Sequence, residues 1–308
     1  MTNYNKQPLS IPEQAQLLLT RGLLCEDTAR LENYLASIGY YRLSAYWLPF
    51  EQSSSDSSRN HQFLPHTHFE KILTLYIFDR KLRLLVMEAI ERIEVALRAQ
   101  WSRSLAIHGL SHKNNELNHC GSHAYMNSDL FKNPRQHIQD LAKIDREYEN
   151  SKEVFVEHYK SRYNTPPLPP VWVVVETMTL GTLSRWFQNT KDTETKKTIM
   201  RAFAMPTIEI TESVFHTLTP VRNVCAHHCR LWNRRFALTF PNIKRLKNSL
   251  VPENSPNHQA HYIYNYLVIL SVLMKAINPN SSWIYRLMDL LNTIEPIHHQ
   301  AMGFPVHR

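Results

Sequence analysis

The chain has 308 residues, enough for one large domain or two ordinary ones built on a real hydrophobic core. With 43% hydrophobic residues, 20% charged residues and only 6 Gly, its composition excludes global disorder, collagen-like repeats and Gly-rich propellers. The net charge is +8, and the excess gathers late: residues 1–170 hold 20 basic and 19 acidic side chains, residues 171–308 hold 15 and 8.

In chain order, residues 8–50 read as a compact helical head. Leu17, Leu18, Leu31, Leu35 and Ile38 recur at helical spacing, and the run Gly39-Tyr-Tyr-Arg-Leu-Ser-Ala-Tyr-Trp47 adds an aromatic block. A polar stretch over 51–66 sets the first boundary, giving a head over 1–66 and a body over 67–308. A long amphipathic helix is predicted from Phe69 to Ser104, with Leu75, Phe78, Leu82, Leu85, Ala89, Ile93 and Leu97 along one stripe. The acid-before-base pairs Asp79–Arg83, Glu88–Arg92 and Glu94–Arg98 support it. Residues 108–135, rich in His, Asn and Ser, are expected to form an irregular insertion.

Helices follow over 134–148 and 151–163, and the Pro-rich run 164–170 reads as a rigid connector. Residues 171–188 are expected as one buried helix, and 192–204 and 207–218 as two short ones. Thr219 and Pro220 then look like the N-cap and first residue of a further helix ending before Phe240. Helices over 260–277 and 281–293 complete a fold that is mostly α. The opening MTNYNKQPLS has neither the basic region nor the apolar core of a signal peptide. The apolar stretch 262–277 is too short for a membrane span and carries Asn265 and Lys275. Cysteines at 25, 120, 225 and 229 show no disulfide spacing, so a reducing cytoplasm and no membrane contact are expected.

The charge pattern is sharpest between Glu212 and Glu253, where there is no acidic residue but Arg222, Arg230, Arg234, Arg235, Lys244, Arg245 and Lys247 are present. Such a field suits a polyanion such as RNA, with a solvated basic helix face as the alternative. Inside this window, Arg222, Asn223 and His227 fall at about 0°, 100° and 140° around a helix axis, within one sector. A permanent cation, an amide and an imidazole at a helix start suit phosphodiester chemistry. Arg222 would grip the phosphate and offset the charge of the transition state, and His227 would move a proton near neutral pH. The field of a helix N-terminus would attract the anion and keep His227 neutral. RNA carries its own nucleophile in the 2′-OH, so no metal or other cofactor is required.

The run Arg222-Asn-Val-Cys-Ala-His-His-Cys-Arg-Leu-Trp-Asn-Arg234 resembles the signature of the Abi-like abortive-infection proteins of the AbiD/AbiF type, and contains the R-x4-H motif of the HEPN ribonuclease superfamily. The segments 39–47, 78–83, 90–98, 151–159, 169–172 and 180–184 are similar to other blocks of the family. The resemblance implies a HEPN-type helical bundle and metal-independent RNA cleavage to 2′,3′-cyclic phosphate and 5′-OH ends. It further implies a homodimer with a composite active site, a role in phage defence or as a toxin, and restraint by a small regulatory RNA in some members. Arg222, Asn223 and His227 take the catalytic positions. Arg230, Asn233 and Arg234 are candidates for RNA contact on the continuing helix, with Arg234 one turn beyond Arg230. Glu91 and Glu94, off the apolar stripe of the long helix, are candidates to brace Arg222.

Other clusters are weaker. Cys225, His228, Cys229 and His216 could hold zinc, but the spacing lacks two separated ligand pairs, and core thiols are the preferred reading. His108, His112, His119, Cys120 and His123 have no recognised ligand spacing and read as a polar loop. Tyr40, Tyr41, Tyr46 and Trp47 could stack bases but read first as packing residues. The leading reading is thus an endoribonuclease. A non-catalytic RNA-binding scaffold regulated by a small RNA is the alternative, and a DNA-binding head comes last because residues 8–50 are nearly charge-balanced.

Overall fold

A computed structural model of the chain describes residues 7–52, 60–109 and 121–305, and every regular element among them is helical. The α-helices in order are α1 (Ile11–Thr20), α2 (Thr28–Ile38), α3 (Tyr40–Trp47), α4 (Phe69–Gly109), α5 (Pro134–Asn150), α6 (Val154–Arg162), α7 (Val171–Thr177), α8 (Leu180–Asn189), α9 (Thr193–Ala202), α10 (Ile208–Ala226), α11 (Ile263–Ile277), α12 (Trp283–Leu291) and α13 (Pro296–Gln300). Two compact units emerge. One takes Met1–Leu82 and Asp289–Glu295, the other Arg83–Met288 and Pro296–Arg308; two of the three divisions fall inside helices, α4 and α12, and the third just before α13.

In the first unit, α1 opens on a capping box in which Ser10 and Glu13 satisfy one another, and α2 on Asp27, whose carboxylate accepts from the Arg30 N–H at 2.9 Å. Gly39, at φ +90°, ends α2 and begins α3 in a single residue, a conformation that L side chains rarely adopt. Leu18, Leu31, Leu35, Leu43, Tyr46 and Trp47 are buried, and Tyr46 donates to Asp79 at 2.5 Å in the interior. The aromatic block of α3 is mostly packing: Tyr40 meets Trp47 edge to face and accepts from Arg21, while Tyr41 is 92% exposed.

Helix α4 runs 41 residues, about 60 Å at 1.5 Å per residue. Its buried positions, Ile72, Leu75, Phe78, Leu82, Val86, Ala89, Ile93, Leu97, Trp101 and Leu105, recur every three or four residues, which is why it continues past the expected end at Ser104. Of the expected insertion, residues 110–120 lie outside the described part of the chain. Residues 121–126 and 128–130 are 3-10 turns leading into α5.

The connector over 164–170 is free of helix, and its carbonyls are taken by side chains: Pro166 by Tyr159, Pro169 by Tyr125, Leu168 by His123. Residues 171–188 form two helices rather than one. Thr179 breaks the run because its hydroxyl accepts from the Thr182 N–H and caps α8. Helix α8 packs against α10 through Phe187 and Phe215, and Gly181 lets the two approach: a Cβ there would stand 3.0 Å from Thr219 Cγ2.

The largest departure from expectation lies in α10. No helix starts at Thr219; one helix runs unbroken from Ile208, capped by Thr207, to Ala226, with Pro220 inside it. Proline there deprives the exposed His216 carbonyl of its helical donor, at a cost of roughly 3 kcal/mol. Burial of Val214, Phe215, Leu218, Val221 and Val224, at about 1.5–3 kcal/mol each, outweighs it. The Thr219 hydroxyl donates back to the Phe215 carbonyl at 3.3 Å instead of capping anything.

Candidate functional site

Arg222, Asn223 and His227 therefore stand at the C-terminal end of α10. His227 is the C-cap, His228 adopts the left-handed conformation (φ +56°), and the backbone closes with Cys229 N–H to Val224 O at 3.0 Å and His228 N–H to Cys225 O at 3.1 Å. These are the two bonds of a Schellman stop, with histidine in the place usually held by glycine. The expected N-terminal field is absent here. The helix presents its negative end, so attraction for an anion has to come from side chains, and no N-terminal field acts on His227.

Asn223 and His227 are both exposed, whereas Arg222 is partly buried, with 28% of its side chain accessible. Its Nε lies 3.8 Å from Glu94 Oε2 on α4 and is buried without a hydrogen-bond partner, and among the described residues the Arg222 side chain makes no hydrogen bond. Glu94 is 8% exposed and turns its other oxygen to Arg98 Nη2 at 2.6 Å. Arg98 also donates to the Met178 carbonyl at 2.6 Å and to Glu176 at 3.3 Å. Glu94, one of the two candidate braces, thus faces Arg222. Glu91 is exposed and has no ion-pair partner among the described residues.

Beyond His227 the chain leaves the helix, so the expected helical spacing of Arg230, Asn233 and Arg234 is replaced by turns, Asn233 adopting φ +50°. Arg230 donates to the Asn233 carbonyl at 3.3 Å and so closes a turn; Arg234 is half-exposed and Arg235 exposed. Leu231 and Trp232 are fully buried and anchor the segment. The Trp232 indole donates to the His298 carbonyl at 3.1 Å, and Phe236 exchanges bonds with His261, N–H to the His261 carbonyl at 2.8 Å and carbonyl to His261 Nδ1 at 2.9 Å. The turn over residues 256–262 that carries His261 is in turn closed by Gly303, where a Cβ would meet the Gln259 carbonyl at 2.5 Å.

Cys225 is buried while His216, His228 and Cys229 are exposed, and among the described residues no three His, Cys, Asp or Glu side chains are grouped to hold a metal. Of the second cluster, His112, His119 and Cys120 lie outside the described residues. His123 contacts the Ser122 hydroxyl at 2.9 Å and the Leu168 carbonyl at 3.1 Å. Arg98 is the residue of the site that sequence reasoning missed: its pairing with Glu94 was read as ordinary helix support, and no local signal points to Met178, 80 residues away.

No helix among the described residues is long and apolar enough to cross a membrane. No curated protein and no solved structure matches the chain. The family model for Abi-like proteins matches residues 33–233, a span that begins in α2, takes in Glu94 and Arg98 on α4, and ends just beyond His227. The chain belongs to the Abi-like protein family, and membership points to abortive infection as a defence against phage.

Proposed function

We propose that the protein is a metal-independent endoribonuclease of the HEPN type, acting in phage defence or as a toxin. The observation that carries the reading is Arg222. It is a partly buried guanidinium steered by one carboxylate at 3.8 Å and holding no hydrogen bond among the described residues, so its donors remain for a phosphate. It lies beside exposed Asn223 and His227 in a stretch with no acidic residue between Glu212 and Glu253.

In the reaction, the RNA 2′-oxygen attacks the adjacent phosphorus, the bond from phosphorus to the 5′-oxygen breaks, and a 2′,3′-cyclic phosphate and a 5′-OH result. The 2′-OH gives up a proton as the 5′-oxygen takes one. Arg222 holds the non-bridging oxygens while charge builds on them, and Asn223 adds a neutral donor. His227 accepts or returns the proton. One chain offers a single His227, whereas the reaction needs a base and an acid. A homodimer that brings two copies of Arg222, Asn223 and His227 to one scissile phosphate supplies both. Arg230, Asn233 and Arg234 lie on the chain just beyond and would meet the RNA backbone; a small regulatory RNA would occupy the same surface.

The test is cleavage of RNA by the purified protein in excess EDTA, beside Arg222→Ala and His227→Ala, with the product ends identified. Cyclic-phosphate and 5′-OH ends that vanish in both variants are expected. RNA that is bound but stays intact, including RNA from infected cells, would replace this reading with the non-catalytic scaffold.

A further inference from the structure

We infer that Arg98 is a positioning residue for the proposed reaction, setting Arg222 through Glu94; the inference rests on the reading of Arg222 as the phosphate grip. The geometry is a relay of opposite charges. Arg98 Nη2 holds Glu94 Oε1 at 2.6 Å, a short charge-assisted bond, while Glu94 Oε2 stands 3.8 Å from Arg222 Nε. The first distance fixes the carboxylate. The second is too long for a hydrogen bond but close enough for strong attraction in a partly buried place. Arg222 is therefore aimed without being saturated, which is what a group that must form its best hydrogen bonds in the transition state requires.

Arg98 is itself fixed from the far side. The same Nη2 donates to the carbonyl of Met178, the C-cap of α7, and Nη1 reaches Glu176 in the last turn of that helix. A helix end has carbonyls without intrahelical donors, and a guanidinium there satisfies one while meeting the negative end of the dipole. Arg98 thus couples the end of α7 to the candidate site on α10. Lysine could not do the same, because a point ammonium on a flexible stem lacks the planar fork that spans three acceptors. Charge accounting agrees: the buried Glu94 has a cation on each side, so removing Arg98 leaves Arg222 as its one ion-pair partner among the described residues and draws the two together. A guanidinium collapsed onto Glu94 would have fewer donors for phosphate.

The test uses the full chain with Arg98→Lys, Glu94→Asp and the double variant, beside Arg222→Ala. Three quantities are read: kcat and KM for RNA cleavage, the affinity for a 2′-deoxy analogue that cannot be cut, and the melting temperature. Arg98→Lys is expected to lower kcat about 10-fold or more while analogue affinity stays within about twofold, the mark of a misplaced group rather than lost binding. The double variant is expected to be no slower than the slower single one, since both act through one guanidinium. Arg98→Lys with unchanged kcat, beside an inactive Arg222→Ala, would overturn the inference. So would losses that multiply in the double variant, whatever the melting temperatures do. If Arg222→Ala cleaves as well as the unaltered protein, the nuclease reading fails first and this inference falls with it.

Discussion

Lys196 on α9 and Glu212 on α10 form an ion pair in which the lysine side chain is only 2% exposed. The ammonium also donates to the Gln188 carbonyl at 2.8 Å and lies 5.6 Å from the centre of the Phe187 ring, while Lys132 stands 3.6 Å from the same Glu212 oxygen. Two cations thus share one carboxylate, and the lysine is almost wholly withdrawn from water. Burial pulls the Lys196 ammonium down to about 8 from the ordinary 10.5, Glu212 offsetting part of the effect.

Between pH 8 and 10.5, then, the unfolded chain holds a proton on this lysine that the folded chain has lost, so this group adds stability as pH rises through the window and none of that gain is present below it. Denaturant unfolding of the unaltered protein and of Lys196→Met across that range should show the difference between them growing with pH. A difference that stays constant from pH 8 to 10.5 would contradict the burial argument.

Gly181 makes a steric prediction. Its Cβ position lies 3.0 Å from Thr219 Cγ2, so Gly181→Ala should push α8 from α10 and cost about 1–2 kcal/mol in thermal unfolding. Thr219→Ser removes the opposing methyl and should restore stability in the double variant. Failure of that rescue would place the strain elsewhere.

His228 occupies the left-handed position of the α10 stop at φ +56°. His228→Gly should raise the melting temperature, with a gain of about 1 kcal/mol from the relieved backbone. RNA cleavage should survive, because the two Schellman bonds that place His227 use main-chain atoms only. A lower melting temperature would mean that side-chain contacts of His228 outweigh its backbone cost.

Arg234 and Arg235, half-exposed and exposed, make an ionic prediction. If RNA follows this segment, replacing both by alanine should reduce the slope of log affinity against log salt by about 1.4 for single-stranded RNA, roughly 0.7 per lost phosphate contact. Titrations of a labelled RNA at several salt concentrations measure it, and an unchanged slope would take these two side chains out of the RNA path.

The long helix and the helical head were legible because their apolar spacing is sustained: the α4 stripe from Ile72 to Leu105 leaves no competing period. Helix α10 was misread for the opposite reason. Thr219 and Pro220 carry a strong local start signal, yet the buried row from Val214 to Val224 runs straight through it, and tertiary burial prevailed over local chemistry. Its end was equally hidden, since a stop made by His227 and His228 has no glycine to announce it. At the site, Glu91 and Glu94 were legible only as a pair of candidate counter-ions for Arg222, and spacing along α4 did not separate them. Arg98 was not, because its decisive acceptor is a backbone carbonyl in another part of the chain, and carbonyls leave no mark in a sequence.

The anchoring of Trp232 bears on where this protein can be shortened. The region shared with the family ends at residue 233, yet the indole that fixes the strand of chain after His227 finds its acceptor at His298, and Phe236 finds its partner at His261. A fragment trimmed to the shared region would carry Arg222, Asn223 and His227 on α10 and its cap, and still lack the clasp that holds the segment following them. His261 and His298, both outside the shared region, thus hold the segment that follows the candidate site.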